Sequence, residues 1–298
     1  MNEMFDVVTL GSATLDVLMK SDKFRVKDGN LCELYGAKME VEEAKVVVGG
    51  SGTNTAVSFA RKDLKVACIS EIGQDMAGQM VKLDLKQEGV ATNFLVEEAK
   101  EETAIAAILV AGSGERSVVV RRGASAMLDK KDFPWEIRTR WLHIGSLGGN
   151  IRLLTKVIKW ANKEKVRVSL NPGSLEIAQR EKVLGLLDKV EVLFVNLEES
   201  KSLFGNELQK LSRVMVITKG KEGGEVWLPN ERVDFKSEKT AMVDATGAGD
   251  AFASGFVSAV LYGLSYKQAI EWGKRNAASV VRYMGAKRGL LTLAEIKG

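Results

Sequence analysis

Val243-Asp244-Ala245-Thr246-Gly247-Ala248-Gly249-Asp250-Ala251-Phe252 decides the reading of this chain, because a run of small residues leads straight into an aspartate and then into an apolar helical pattern. Phe252, Phe256, Val260 and Leu261 recur at helical spacing, so a helix begins here. Its first turn carries unpaired N–H groups and a partial positive charge, and Gly247, Ala248 and Gly249 leave room for a ligand to approach the backbone closely. A phosphate fits such a place. Asp250 follows the glycines inside the first turn, where its carboxylate can reach whatever the anion hole holds, and a carboxylate beside a bound phosphate suits proton abstraction from an attacking hydroxyl.

Composition narrows the classes further. With 298 residues, 45% hydrophobic and 28% charged, the chain has the make-up of a globular protein with one large core. Its 43 basic and 39 acidic residues leave a net charge of +4 that is scattered along the sequence, which gives nucleic-acid binding no support. Cys32 and Cys68 lie far apart without metal-type spacing, the usage expected of a reduced cytoplasmic protein, and no signal peptide or membrane span can be drawn. One histidine, His143, excludes most catalytic triads and zinc sites; it sits in Trp141-Leu142-His143-Ile144-Gly145, which reads as a buried strand. There is no Gly-x4-Gly-Lys-Ser/Thr loop, and Gly11-Ser12-Ala13 after the first strand lacks the dinucleotide fingerprint.

From about residue 140 onward, short β-rich runs alternate with helical patterns as in βαβ units. Asn150 caps a helix with Ile151, Leu154, Ile158 and Ala161 on one face; strands are expected at 166–170, 192–195 and 214–218, and a second helix at 175–187. The strand ends deliver Asn196, Glu199 and Thr218 to one rim of a parallel sheet, where α/β proteins bind ligands. Residues 15–47 show β-type runs separated by Asp28-Gly29-Asn30 and Tyr35-Gly36, and residues 103–120 read as a hairpin across Ala111-Gly112-Ser113-Gly114-Glu115-Arg116.

The segment from Asp244 to Phe252 closely resembles the signature of the ribokinase (PfkB) family of sugar and nucleoside kinases. Four other segments match in order: Val7-Val8-Thr9-Leu10-Gly11-Ser12-Ala13-Thr14-Leu15-Asp16, Gly49-Gly50-Ser51-Gly52-Thr53-Asn54, Asn196-Leu197-Glu198-Glu199, and Thr218-Lys219-Gly220-Lys221-Glu222-Gly223-Gly224. The resemblance implies an α/β three-layer sandwich with a central, mostly parallel sheet. It also implies one kinase domain over residues 1–298, with a small β-sheet lid inserted from segments near 15–47 and 95–122. By the same resemblance Asp250 is the base, and Gly247, Ala248 and Gly249 stabilise the transferring phosphoryl group. Asp16, Gly50, Ser51 and Asn54 surround the acceptor. Asn196, Glu199, Thr218, Gly220, Gly223 and Asn276 belong to the ATP side, Glu199 ordering Mg2+ through water. Asp244, with the loop Gly285-Ala286-Lys287-Arg288-Gly289, sits where relatives hold a monovalent cation such as K+ by backbone carbonyls. The resemblance further suggests a homodimer formed through the lid, since related proteins cover the lid's apolar face with a partner's.

Two departures bear on the acceptor. Strict ribokinases carry a lysine where Ser51 stands and a glutamate near Ser146, so room is left for a nucleobase and a ribonucleoside competes with a free sugar. A phosphosugar ranks third, with Arg121 and Arg122 as the basic residues that could reach its phosphate from the lid hinge. A homologue that binds ligand without chemistry is the alternative of a different class, disfavoured by the retention of Asp250 and Glu199.

Overall fold

The computed structural model describes residues 3–298 apart from 28–29, 33–35, 37, 113–115 and 206–211. In chain order its strands are β1 (Met4–Leu10), β2 (Thr14–Ser21), β3 (Arg25–Lys27), β4 (Asn30–Cys32), β5 (Glu43–Gly49), β6 (Val66–Gly73), β7 (Leu95–Glu98), β8 (Ala104–Ala111) and β9 (Arg116–Arg121). They continue with β10 (Arg138–Ile144), β11 (Arg167–Leu170), β12 (Val192–Asn196), β13 (Val214–Thr218), β14 (Gly224–Trp227) and β15 (Arg232–Phe235). The helices are α1 (Ser51–Ala60), α2 (Met76–Gln87), α3 (Ile151–Lys163), α4 (Ser174–Ile177), α5 (Arg180–Leu184), α6 (Leu197–Phe204), α7 (Ala248–Leu261), α8 (Tyr266–Val280) and α9 (Leu293–Lys297).

Nine strands form one sheet in the order β15-β14-β13-β12-β11-β10-β1-β6-β7, parallel from β13 through to β7 and antiparallel at β14 and β15. Central strands such as β12 and β13 are buried along nearly their whole length, which is why they read as apolar runs. One core, with Phe59, Trp141, Phe194 and Phe256, packs α1, α2, α7 and α8 on one face of the sheet. The other, with Leu142, Leu153, Leu154 and Val157, packs α3 to α6 on the opposite face. Asn150 caps α3 as its sequence predicts, its side chain accepting from the Leu153 N–H at 3.0 Å.

A separate four-stranded sheet runs β5-β2-β8-β9 and covers the carboxyl-terminal rim of the large one. Its face toward the rim buries Leu18, Ala106, Ile108 and Val110 against Met284. The hairpin expected at 103–120 is formed, while its tip at 113–115, and the turn residues Asp28, Gly29 and Tyr35, lie outside the described residues. Two expectations are corrected. Residues 95–98, expected in the small sheet, extend the large one as β7, paired in parallel with β6, and the next strand of the small sheet starts at Ala104. The helix expected at 175–187 is broken into α4, α5 and a 3₁₀ turn at Leu187–Lys189, because side chains there are pulled toward the 146–149 loop: Glu176 accepts from Leu147 N at 3.0 Å and Gln179 donates to Gly149 O at 2.8 Å.

Candidate active site

Gly247 adopts φ 77° as the residue that starts α7, a conformation in which any larger residue is strained, and a Cβ there would also strike Ala286. The first-turn N–H groups of Gly249 and Asp250 therefore face outward from a helix whose own bonding begins with Ala251 N donating to Gly247 O at 2.8 Å. A Cβ added to Gly249 would meet nothing, so this position of the helix start opens onto free space. Asp244 shapes the turn behind it: one carboxylate oxygen accepts from Thr246 N (2.9 Å) and Thr246 Oγ1 (2.6 Å), the other from Gly285 N (2.8 Å).

On the acceptor side the structure gathers residues from four elements. Asn54 of α1 donates its amide to the Asp250 carboxylate at 2.9 Å, while its own side-chain oxygen is buried without a partner. Asp16 of β2 is 5% exposed and accepts from Thr14 Oγ1 at 2.6 Å. Gly49 lies so close to this carboxylate that no side chain could be added there. Gly50 precedes α1, and Ser51 joins a neutral cluster with Ser12 Oγ at 3.3 Å and the Ser146 N–H at 3.1 Å. Burial pushes the Asp250 carboxyl up to about 6, opposed by the Asn54 hydrogen bond and the Arg116 charge and assisted by Asp16. Asp16 is raised as well, chiefly by burial, with Thr14 and Lys287 opposing.

A cleft of ≈ 220 Å³ opens at the same helix start. Thr218, Gly220, Gly223, Ala248 and Gly249 line it, together with Phe235, Met242, Phe252, Ala277, Ala278 and Val281. Those apolar walls come from β15, α7, α8 and loops brought together only by folding, so the sequence carries no local signal for them. Asn196 and Glu199 stand at the end of β12 and cap α6 reciprocally, Asn196 Oδ1 accepting from Glu199 N (2.9 Å) and Glu199 Oε2 from Asn196 N (2.8 Å). Burial raises the Glu199 carboxyl above its ordinary range. Asn276 does not face the cleft: it is fully buried, and its amide is consumed by Ser58 Oγ (3.1 Å), Ala251 O (2.7 Å) and Leu291 N (3.0 Å). His143 is a buried strand residue bonded through Nδ1 to Ser169 Oγ at 2.7 Å, its pKa lowered by burial to about 3.

Arg116 is a residue that the sequence alone does not single out. Register places it opposite Val110, on the lid face that also carries Asp16, and its charge acts on Asp250. Arg121 points to the other face and pairs with Glu101 (2.8 Å) and Glu102 (3.5 Å), which removes it from the acceptor side. A larger hollow, ≈ 500 Å³, lies between β5, α2 and the 284–288 loop. Four of its charges are paired within it, in Arg61–Glu88 at 2.6 Å and Lys287–Asp84 at 2.7 Å, while Lys45 pairs with Glu43 and Arg288 lies over the Tyr283 ring; it holds neither Asp250 nor the start of α7.

The half-buried Asp250 carboxylate stands in the first turn of α7, hydrogen-bonded to Asn54 and beside a cleft with apolar walls. Residues 4–293 match the pfkB family carbohydrate kinase model, and the chain belongs to that family. It is 30% identical over 277 residues to a ribokinase of Haemophilus influenzae, covering 87% of this chain and 89% of that protein. Its fold is also that of a ribokinase from Cryptococcus neoformans in complex with ADP, with a TM-score of 0.82 at 24% identity over 98% of this chain and 99% of that one. A nucleoside kinase of Methanocaldococcus jannaschii gives 0.82 at 23% identity, covering 100% and 98%. The protein is an ATP-dependent phosphotransferase with an alcohol group as acceptor, a sugar or nucleoside kinase. Among the described residues no helix is long and apolar enough to cross a membrane.

Proposed function

We propose that the enzyme transfers the γ-phosphoryl group of ATP to a primary CH2OH of a sugar, with Asp250 as base. The observation that carries this reading is the Asn54–Asp250 hydrogen bond of 2.9 Å next to an open helix start. Asn54 holds the carboxylate in place, and its buried, unpartnered oxygen awaits a donor that an acceptor hydroxyl supplies. Asp16, two oxygens on one rigid strand, suits two vicinal hydroxyls. The acceptor oxygen attacks the γ-phosphorus, its proton passes to Asp250, and ADP leaves. The N–H groups of Gly249 and Asp250 stabilise the charge on the phosphoryl oxygens throughout. Thr218, Gly220 and Gly223 border the nucleotide, and the walls of Phe235, Met242 and Val281 suit a flat base.

Mg2+ bound to ATP neutralises phosphate charge; Glu199, partly buried and bonded through one oxygen, is the carboxylate suited to holding its waters. A monovalent cation such as K+ near Asp244 would rest on backbone carbonyls, because both carboxylate oxygens are already engaged. Reduced cytoplasm is the compartment proposed, and a second copy of the chain is the partner proposed for the outer face of the lid. The kinase is read as one domain into which that lid is inserted.

A ribonucleoside is the second reading, and the lid favours it. Pairing sets Val120 beside Ala106 and Asp16, and Val118 beside Ile108 and Leu18, all on the face over the site. Val118 and Val120 are exposed, forming an apolar surface on which a base would lie. The discriminating experiment is ADP release with Mg–ATP and a panel of pentoses, hexoses and ribonucleosides, repeated with Ser51→Lys. A nucleoside kinase loses activity with the lysine in the base's place, whereas a free-sugar kinase tolerates it. No acceptor-dependent ADP from either panel would refute both readings.

A further inference from the structure

Lys62, just past the end of α1, is entirely buried and is bonded to no carboxylate. Its Nζ donates to Ser58 O (3.0 Å), Ser58 Oγ (3.0 Å) and Leu291 O (3.1 Å), with Asn276 Oδ1 at 3.4 Å. Burial among these neutral oxygens pushes the Lys62 pKa down to about 7, and its N–H groups are used within the cage. Ser58 Oγ also accepts from Asn276 Nδ2 at 3.1 Å. Ser254 Oγ is hydrogen-bonded to Ser58 Oγ at 2.7 Å and lies 2.6 Å from the carbonyl oxygen of Asp250, one turn back in α7. Asn276 closes the ring by donating to Ala251 O at 2.7 Å. A continuous chain of hydrogen bonds therefore runs from Lys62 through Ser58 and Ser254 to the main chain of Asp250, and a second arm reaches the next residue.

We infer that Lys62 is a positioning residue for the phosphotransfer reaction, fixing the first turn of α7, and with it the Asp250 carboxylate and the anion-binding N–H groups, through Ser58, Ser254 and Asn276. The inference rests on the assignment of Asp250 as base. It assigns Lys62 no contact with either substrate; a small error in the aim of Asp250 and its N–H groups is felt in the transition state more than in binding.

The test compares Lys62→Met, which keeps the length and removes the donors, with Ser254→Ala, which leaves Lys62 in place and cuts the chain one step before Asp250. Both are expected to lower kcat about tenfold while KM for nucleotide and acceptor stays within about threefold, and the double variant is expected to be no worse than either single one. Amides of residues 251–254 are expected to exchange with solvent about tenfold faster in each. Unchanged exchange with unchanged kcat, or single losses that multiply in the double variant, would overturn the proposal. Should Lys62→Met not fold, Ser254→Ala decides alone by the same readings. Asp250→Asn measured alongside keeps the two claims apart, since its activity reports on the base and the exchange rates report on the chain of hydrogen bonds.

Discussion

At the scale of single residues the account turns on Asp250 and its neighbours. The carboxylate works as a base only when ionised, so kcat/KM is expected to fall as pH drops through about 6, the value to which burial raises it. The same shift has a consequence for stability. A carboxyl whose pKa is higher folded than unfolded opposes folding above about 6, and that cost disappears as pH falls toward its ordinary value of 3.8. Asp250→Asn is therefore expected to melt no lower than the wild type at pH 8 and to lose any advantage below about pH 4, which thermal denaturation across that range checks. Gly249→Val fills the open space before the helix start and is expected to abolish turnover with an unchanged circular-dichroism spectrum; wild-type turnover would remove the anion hole from this place. Asp16, Asn54 and Asp250 are legible in the sequence because each sits in a short local pattern of small residues next to a polar one. Asn276 is misread from sequence because a polar residue between Arg275 and Ala277 looks the same whether it faces a ligand or a buried lysine. Lys62 is invisible for a similar reason, since a lysine near a helix end is ordinarily solvated, and only packing shows that this one is not.

The lid shows what an element adds to its residues. The hairpin of β8 and β9 is readable in the sequence, yet the sequence does not tell that β2 joins it or which face turns inward until register aligns Asp16, Ala106 and Val120. The lid start was expected at residue 95 because Leu95–Glu98 is a short β-type run like its neighbours; its parallel partner β6, some twenty residues earlier, is a tertiary fact. If Asp16, 5% exposed on β2, binds two vicinal hydroxyls as proposed, loss of one leaves a buried carboxylate short of a donor. Such a loss costs about 1–3 kcal/mol, or roughly ten- to a hundredfold in kcat/KM. A 2-deoxy acceptor is expected to fall by that factor relative to its ribo counterpart, and equal efficiencies would show that Asp16 does not read the diol.

Over the whole molecule, the large sheet brings its parallel carboxyl-terminal ends to one rim, where the start of α7 adjoins both the residues proposed for the acceptor and those proposed for the nucleotide. On the outer face of the small sheet Val46, Val17, Ala107 and Val119 form one row, with Val46 53% and Val119 70% exposed among the described residues. If a second copy covers this row, Val119→Arg is expected to convert a dimer in sedimentation velocity into a monomer, and a wild type already monomeric would contradict the lid-mediated assembly. The broad architecture is legible from alternation and from glycine punctuation, whereas the cleft walls depend on distances that only the folded chain supplies. The most direct test of the central claim is acceptor-dependent ADP release by wild type and by Asp250→Asn, measured with saturating Mg–ATP and the best acceptor of the panel at pH 8. The account predicts turnover by the wild type and a loss of about 10²–10⁴ in kcat for the variant; an Asp250→Asn enzyme that keeps its kcat within a few-fold of the wild type would contradict it.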